Sequence, residues 1–119
     1  MIKQVVVPAS ARQKKTDNSV QISGVTAAAG ACGLIPAGSS VKVYPSSAGS
    51  ATVYASCGPA NDAAADIAAA NFSTGLAAWD AWDNGSVTAS SLGILEGAVT
   101  AVALSVSSGT WVLEVVGEA

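Results

Sequence analysis

The sequence predicts an all-β protein: an antiparallel β-sandwich or jelly roll of about seven or eight short strands, with an extended N-terminal arm and at most one short helix. Three observations predict it. Short runs of β-branched residues are separated by Gly-, Pro- and Ser-rich turns throughout the chain. The last third alternates apolar and small or polar residues with period two. No strand–helix–strand alternation occurs, which excludes a nucleotide-binding α/β domain. The reading divides the chain into an N-terminal strand and basic arm, 1–19, and a sandwich domain, 20–119.

The elements follow in order. Lys3 to Val7 is a strand closed by Pro8. Ala9 to Ser19 is polar and aperiodic, so it is a linker or arm. Val20 to Val25 is a strand, and the Gly- and Ala-rich stretch 27–40 is a connection without a clean period. Val41 to Tyr44 and Ala51 to Ser56 are strands, forming a hairpin around Pro45 to Ser50. Residues 59–71, "PANDAAADIAAAN", are the one helical candidate, with Asn61 or Asp62 as cap. Ile67 is its only large apolar residue, so a short surface helix and an irregular loop stay open. Ala77 to Trp82 is a strand, Asn84-Gly85 a type I′ turn, and Ser86 to Ala89 the return strand. In "AVTAVALSVSSGTWVLEVV", Val102, Leu104 and Val106 alternate on one arm and Trp111, Leu113 and Val115 on the other. With "SSGT" between them this reads as a half-buried hairpin whose core residues are Val102, Leu104, Trp111, Leu113 and Val115.

Composition excludes more than it identifies. The chain has 119 residues, 50% of them hydrophobic, and a formal net charge of −3. Only 11% are charged, far below the usual quarter, which suits a subunit packed against others. No run approaches the roughly 20 apolar residues of a membrane span. The start "MIKQVVVPASA" lacks an adequate hydrophobic region for a signal peptide, so synthesis in a cytoplasm is expected. Histidine is absent, which removes Ser-His-Asp and Cys-His nucleophiles, and Cys32 and Cys57 alone cannot complete a zinc site. The two thiols are expected to stay reduced, with a disulfide as the alternative. Asp80, Asp83 and Asn84 fail the spacing of an EF-hand loop, and Asp62 and Asp66 read as solvated loop acids. No catalytic constellation, cofactor or small-molecule substrate is expected.

Charge and aromatic residues supply the interface candidates. Lys3, Arg12, Lys14 and Lys15 precede every acid in the chain. The net charge does not favour nucleic acid as a partner. The arm is instead expected to lie on a neighbouring subunit, with Ile2, Val5, Val6 and Val7 adding a strand to its sheet edge; the competing reading is that Lys3 to Val7 pairs within its own subunit and the basic stretch is only a loop. Trp79 and Trp82 stand three residues apart, so a regular strand points them to opposite faces. One then joins the core and the other serves as an interface anchor or sugar platform; a bulge placing both in the core is the alternative.

The segment "AAWDAWDNGSVT…LEGAVTAVALSVSSGTWVLEV", residues 77–116, resembles the C-terminal half of small virion proteins of tailed bacteriophages. Trp79, Trp82, Gly85, Gly97, Val99, Thr100 and Ala101 carry the resemblance. It implies a β-sandwich or jelly-roll subunit that decorates or cements a capsid in the virion, often as a trimer, bound to the major capsid protein or another virion protein. Ala103 departs from it, standing where an arginine is frequent. The other function class is a carbohydrate- or receptor-binding β-sandwich module.

Overall fold

The computed structural model describes residues 2–117. It contains β1 (Ile2–Val6), β2 (Arg12–Lys15), β3 (Ser19–Val25), β4 (Ala28–Ile35), β5 (Ser40–Ser56), α1 (Ala60–Ala68), β6 (Trp79–Val87), β7 (Ser91–Ile94) and β8 (Val99–Val116). Every pairing is antiparallel. The class is therefore the all-β architecture with one short helix that the alternation implied.

The spine is a ribbon of β5 and β8. Ser40 lies opposite Val116 and Ser56 opposite Ala101, so the two strands pair along their whole length. Near one end β3 and β2 extend the sheet beyond β8, and β7 extends it beyond β5. Near the other end β4 and β1 flank β8, and β6 flanks β5. Register slips between Pro45 and Ala51 let the ribbon fold across its middle. Two halves, β2-β3-β8-β5-β7 and β1-β4-β8-β5-β6, thus face each other as a sandwich.

One core fills the space between them. Ile22, Val25, Val41, Val43, Trp111, Leu113 and Val115 come from the first half, and Ala29, Ala31, Val53, Val102 and Leu104 from the second. The outer face of the second half is covered by α1. There Cys32, Ala101 and Ala103 meet Ala63, Ile67 and Ala77. A side chain at Gly30 would strike both the Val102 backbone and Ile67 Cδ1, so the helix can settle only on small residues. Ile67 is fully buried by this contact, worth about 1.5–3 kcal/mol. The helix therefore forms where propensity alone left it open. Pro59 rather than Asn61 or Asp62 is its N-cap residue, with no side-chain capping bond. Asp62 lies in the first turn, where it favours the helix dipole.

Several local expectations are corrected. The predicted hairpin around Pro45 to Ser50 does not form; 41–44 and 51–56 belong to one strand, β5. The C-terminal hairpin is likewise one strand, β8, with "SSGT" at its bend. The two bends lie opposite each other and are tight. A Cβ on Gly49 would fall onto the Ser108 carbonyl, and Gly109 adopts φ +80° against the Ala48 carbonyl. The stretch expected to be a connection contains β4, which is buried at all but one position. Cover on both faces removes the period-two signal.

The N-terminal arm does not extend away. β1 pairs with β4, Val6 opposite Gly30, and β2 pairs with β3, Arg12 opposite Ser23. The Ile2 amide donates to the Asp17 carbonyl at 3.1 Å. Ile2 is buried in the chain's own core, and Val5 and Val7 pack against it. Apolar side chains that find cover within the subunit have no reason to seek it on a neighbour. Both cysteines are free, Cys32 buried and Cys57 exposed.

Candidate functional site: the cleft beside Trp82

The decisive local feature is the middle of β6. Ala81 pairs with Tyr54 and Ser86 with Thr52, so residues 82–85 loop out between two stretches that pair with the same strand. The expected Asn84-Gly85 hairpin turn is thus a bulge within one strand. Gly85 alone takes positive φ, +62°, where a type I′ turn needs two such residues. The indole closes the bulge itself, Trp82 Nε1 donating to the Gly85 carbonyl at 2.8 Å.

Beyond the bulge runs β7. Trp82 lies over Gly93, where an added Cβ would come within 3.0 Å of the indole, so glycine is what admits the ring. Asn84 Nδ2 donates to the Leu92 carbonyl at 3.3 Å and ties the bulge to β7. Between bulge and strand opens a cleft of about 500 Å³ lined by Val41, Trp82, Asp83, Asn84, Leu92, Gly93, Ile94, Leu95 and Glu96. Asp83 and Glu96 are exposed at its rim, as are Leu92 and Ile94. The side chains of Asp83 and Glu96 make no hydrogen bond or ion pair among the described residues. The cleft thus offers an aromatic and aliphatic wall with unengaged carboxylate and amide oxygens above it.

Trp79 serves a different purpose. Its Nε1 donates to Asp66 Oδ2 at 2.9 Å, and its ring meets Phe72 edge-on, centroids 5.1 Å apart. Phe72 in turn stacks on Tyr54 at 5.0 Å. Asp66 also accepts the amides of Leu76 at 3.1 Å and Ala77 at 2.9 Å. It is buried, not the solvated loop acid that its alanine-rich surroundings suggested. Burial penalises its charge, but the bonds from Trp79, Ala77 and Leu76 outweigh that penalty and lower its pKa. The two tryptophans do face opposite ways: Trp82 packs toward the inter-sheet core and Trp79 toward the helix layer. Both are half-buried, so neither is a protruding anchor.

The other candidates are dispersed. Lys3, Arg12, Lys14 and Lys15 are exposed on β1 and β2. Trp111, Leu113, Val115, Val102 and Leu104 are all fully buried, with Trp111 Nε1 donating to the Ser108 carbonyl at 3.1 Å. Sequence reasoning missed Leu92, Ile94 and Glu96, because nothing local signals that β7 pairs with β5 and faces the bulge. No cluster of three or more His, Cys, Asp or Glu side chains suited to a metal ion occurs among the described residues.

No family model and no curated protein matches the chain. Among solved structures it is similar to a carbohydrate binding module (CBM6cm-2) from Cellvibrio mixtus lichenase 5A in complex with cellotriose. The likeness covers 100% of this chain and 99% of that one, at 12% identity and a TM-score of 0.36. It is also similar to the Lactobacillus farciminis oxalate decarboxylase formate complex, at 12% identity and a TM-score of 0.30, over 98% of this chain and 33% of that one.

Proposed function

We propose that the chain is a non-catalytic recognition module that binds a polyhydroxylated ligand, a glycan, in the cleft beside Trp82. The observation that supports this is the union of an indole, two unengaged carboxylates and an amide around one cleft of about 500 Å³. Clefts of roughly 300–1,000 Å³ with an apolar wall and a few placed polar groups suit small ligands. The apolar C–H face of a sugar ring packs on Trp82 and Leu92, while Asp83, Asn84 and Glu96 accept its hydroxyl protons. The acidic rim favours neutral or amino sugars and repels carboxylated ones.

A glycan array followed by calorimetry tests the reading. Neutral or amino glycans bind the wild type, and Trp82→Ala with unchanged fold weakens them at least tenfold. A folded protein that binds no glycan on a broad array, or a Trp82→Ala variant that binds equally well, overturns it.

A second reading is a virion subunit that binds a capsid protein, in keeping with the resemblance of residues 77–116. It is favoured by large apolar side chains at the surface: Leu34, Leu76, Leu92, Ile94 and Val116 are each more than half exposed. Leu76 stands out, because its amide is fixed on Asp66 while its side chain is 77% exposed. Loss of particle binding on Leu76→Asp, with glycan binding absent, supports this second reading over the first.

A further inference from the structure

We infer that copies of this chain join side to side, the basic side of one sandwich against the acidic side of the next. The strand order creates these sides. β1 and β2 are edge strands on one flank, tied together by the Ile2 amide on the Asp17 carbonyl. β6 and β7 are edge strands on the opposite flank, tied by Asn84 on the Leu92 carbonyl and by Trp82 over Gly93. Each of the four pairs with a single strand, β1 with β4, β2 with β3, and β6 and β7 with β5; on the other edge Ile2 is bonded to Asp17 and Leu92 to Asn84.

Charge divides along the same line. Four of the five basic residues, Lys3, Arg12, Lys14 and Lys15, lie on the β1/β2 flank, with Asp17 the one acid among them. The β6/β7 flank carries Asp80, Asp83 and Glu96; the fifth cation, Lys42, lies one strand inward, opposite Leu92. All eight charged residues of the two flanks, Asp17 included, are exposed, and none makes an ion pair among the described residues. Two faces of one molecule are thus complementary in sign and unsatisfied in isolation. A second copy satisfies both, because it presents the missing sign on a sheet edge of the same form.

The contact joins two different surfaces, so it is heterologous. It propagates into a chain, or into a ring where the rotation between copies closes. Complementary charge steers and orients this docking and sets which flank meets which. The cleft opens on the acidic flank, so association and ligand binding share a rim; the inference nevertheless does not depend on the glycan reading.

Sedimentation velocity on the full chain provides the test. It is run at about 0.01 M salt, where charges act over about 30 Å, and at about 1 M, where they act over about 3 Å. The wild type associates beyond a dimer at low salt and dissociates at high salt. Arg12→Glu/Lys14→Glu/Lys15→Glu leaves both flanks acidic and is monomeric. Asp80→Lys/Asp83→Lys leaves both basic and is also monomeric. Mixed in equal amounts the two variants are complementary again, and association returns. A wild type that stays monomeric at low salt, a triple variant that associates like wild type, or a mixture that stays monomeric each overturns the inference. Circular dichroism verifies the fold of every variant. The triple variant leaves the cleft intact, so glycan binding by it reports on the ligand reading separately.

Discussion

Trp79 and Trp82 lie on one strand, three residues apart, each followed by an aspartate, yet the structure uses them in opposite ways. The Trp79 indole is locked by a buried carboxylate that also holds two backbone amides, and it fastens the loop after α1 to the sheet. The Trp82 indole bonds only to a carbonyl of its own bulge and forms the wall of an open cleft. The difference comes from the partners, not from the residue: α1, which packs on β4 and β8, reaches Trp79 with the Asp66 carboxylate, whereas Trp82 sits in a bulge beside the four-residue β7. An aromatic ring with a buried hydrogen-bond partner serves architecture. The same ring beside unengaged oxygens is available to a ligand.

Trp111, fully buried, sets the scale for breaking this contrast. Trp111→Ala is expected to cost about 3–5 kcal/mol, and thermal melting shows a domain unfolded or nearly so. Asp66→Ala comes next. It strands the Leu76 and Ala77 amides and the Trp79 Nε1–H, at a cost on the order of 3 kcal/mol, read from denaturant unfolding. Trp82→Ala, by contrast, removes a half-buried ring with one local bond. It is expected to cost only about 1–2 kcal/mol while weakening the proposed glycan binding at least tenfold. If Asp66→Ala and Trp82→Ala exchange these outcomes, the assignment of lock and cleft is reversed.

Acid sharpens the same comparison. The folded-state pKa of Asp66 lies below its ordinary value, so its contribution is fully present above the unfolded pKa of about 3.9. That contribution is lost as pH falls through the lower folded value. Asp66→Asn should therefore flatten the loss of stability below about pH 4 relative to wild type, as followed by acid unfolding. Trp82→Ala should leave that slope unchanged.

The smallest effects concern the helix layer itself. Burial pushes the Cys32 thiol up to about 11, whereas Cys57 is exposed. A thiol reagent near neutral pH should modify one cysteine per folded chain, Cys57, and the second only on unfolding. Ala70 ends the helix in the left-handed region at φ 53°, a position that favours glycine. Ala70→Gly is expected to stabilise by about 1 kcal/mol or less, visible as a small rise in Tm.

The sequence by itself determined the all-β class, the inward-facing set around Trp111 and the opposed faces of the two tryptophans. Each of these rests on alternation, a property of neighbouring residues that survives wherever the strand is placed. Only the tertiary structure decided that 41–56 and 99–116 are continuous strands rather than hairpins. Gly49 and Gly109 permit a turn in either strand, and it is their mutual approach that bends the paired ribbon as a unit. The burial of Asp66 was likewise illegible among alanines, because its donors lie ten or more residues away. The cleft was half legible: Trp82, Asp83 and Asn84 were conspicuous in the sequence. Leu92, Ile94 and Glu96 join them only because β7 pairs with β5, and pairing between distant strands leaves no mark on either one alone.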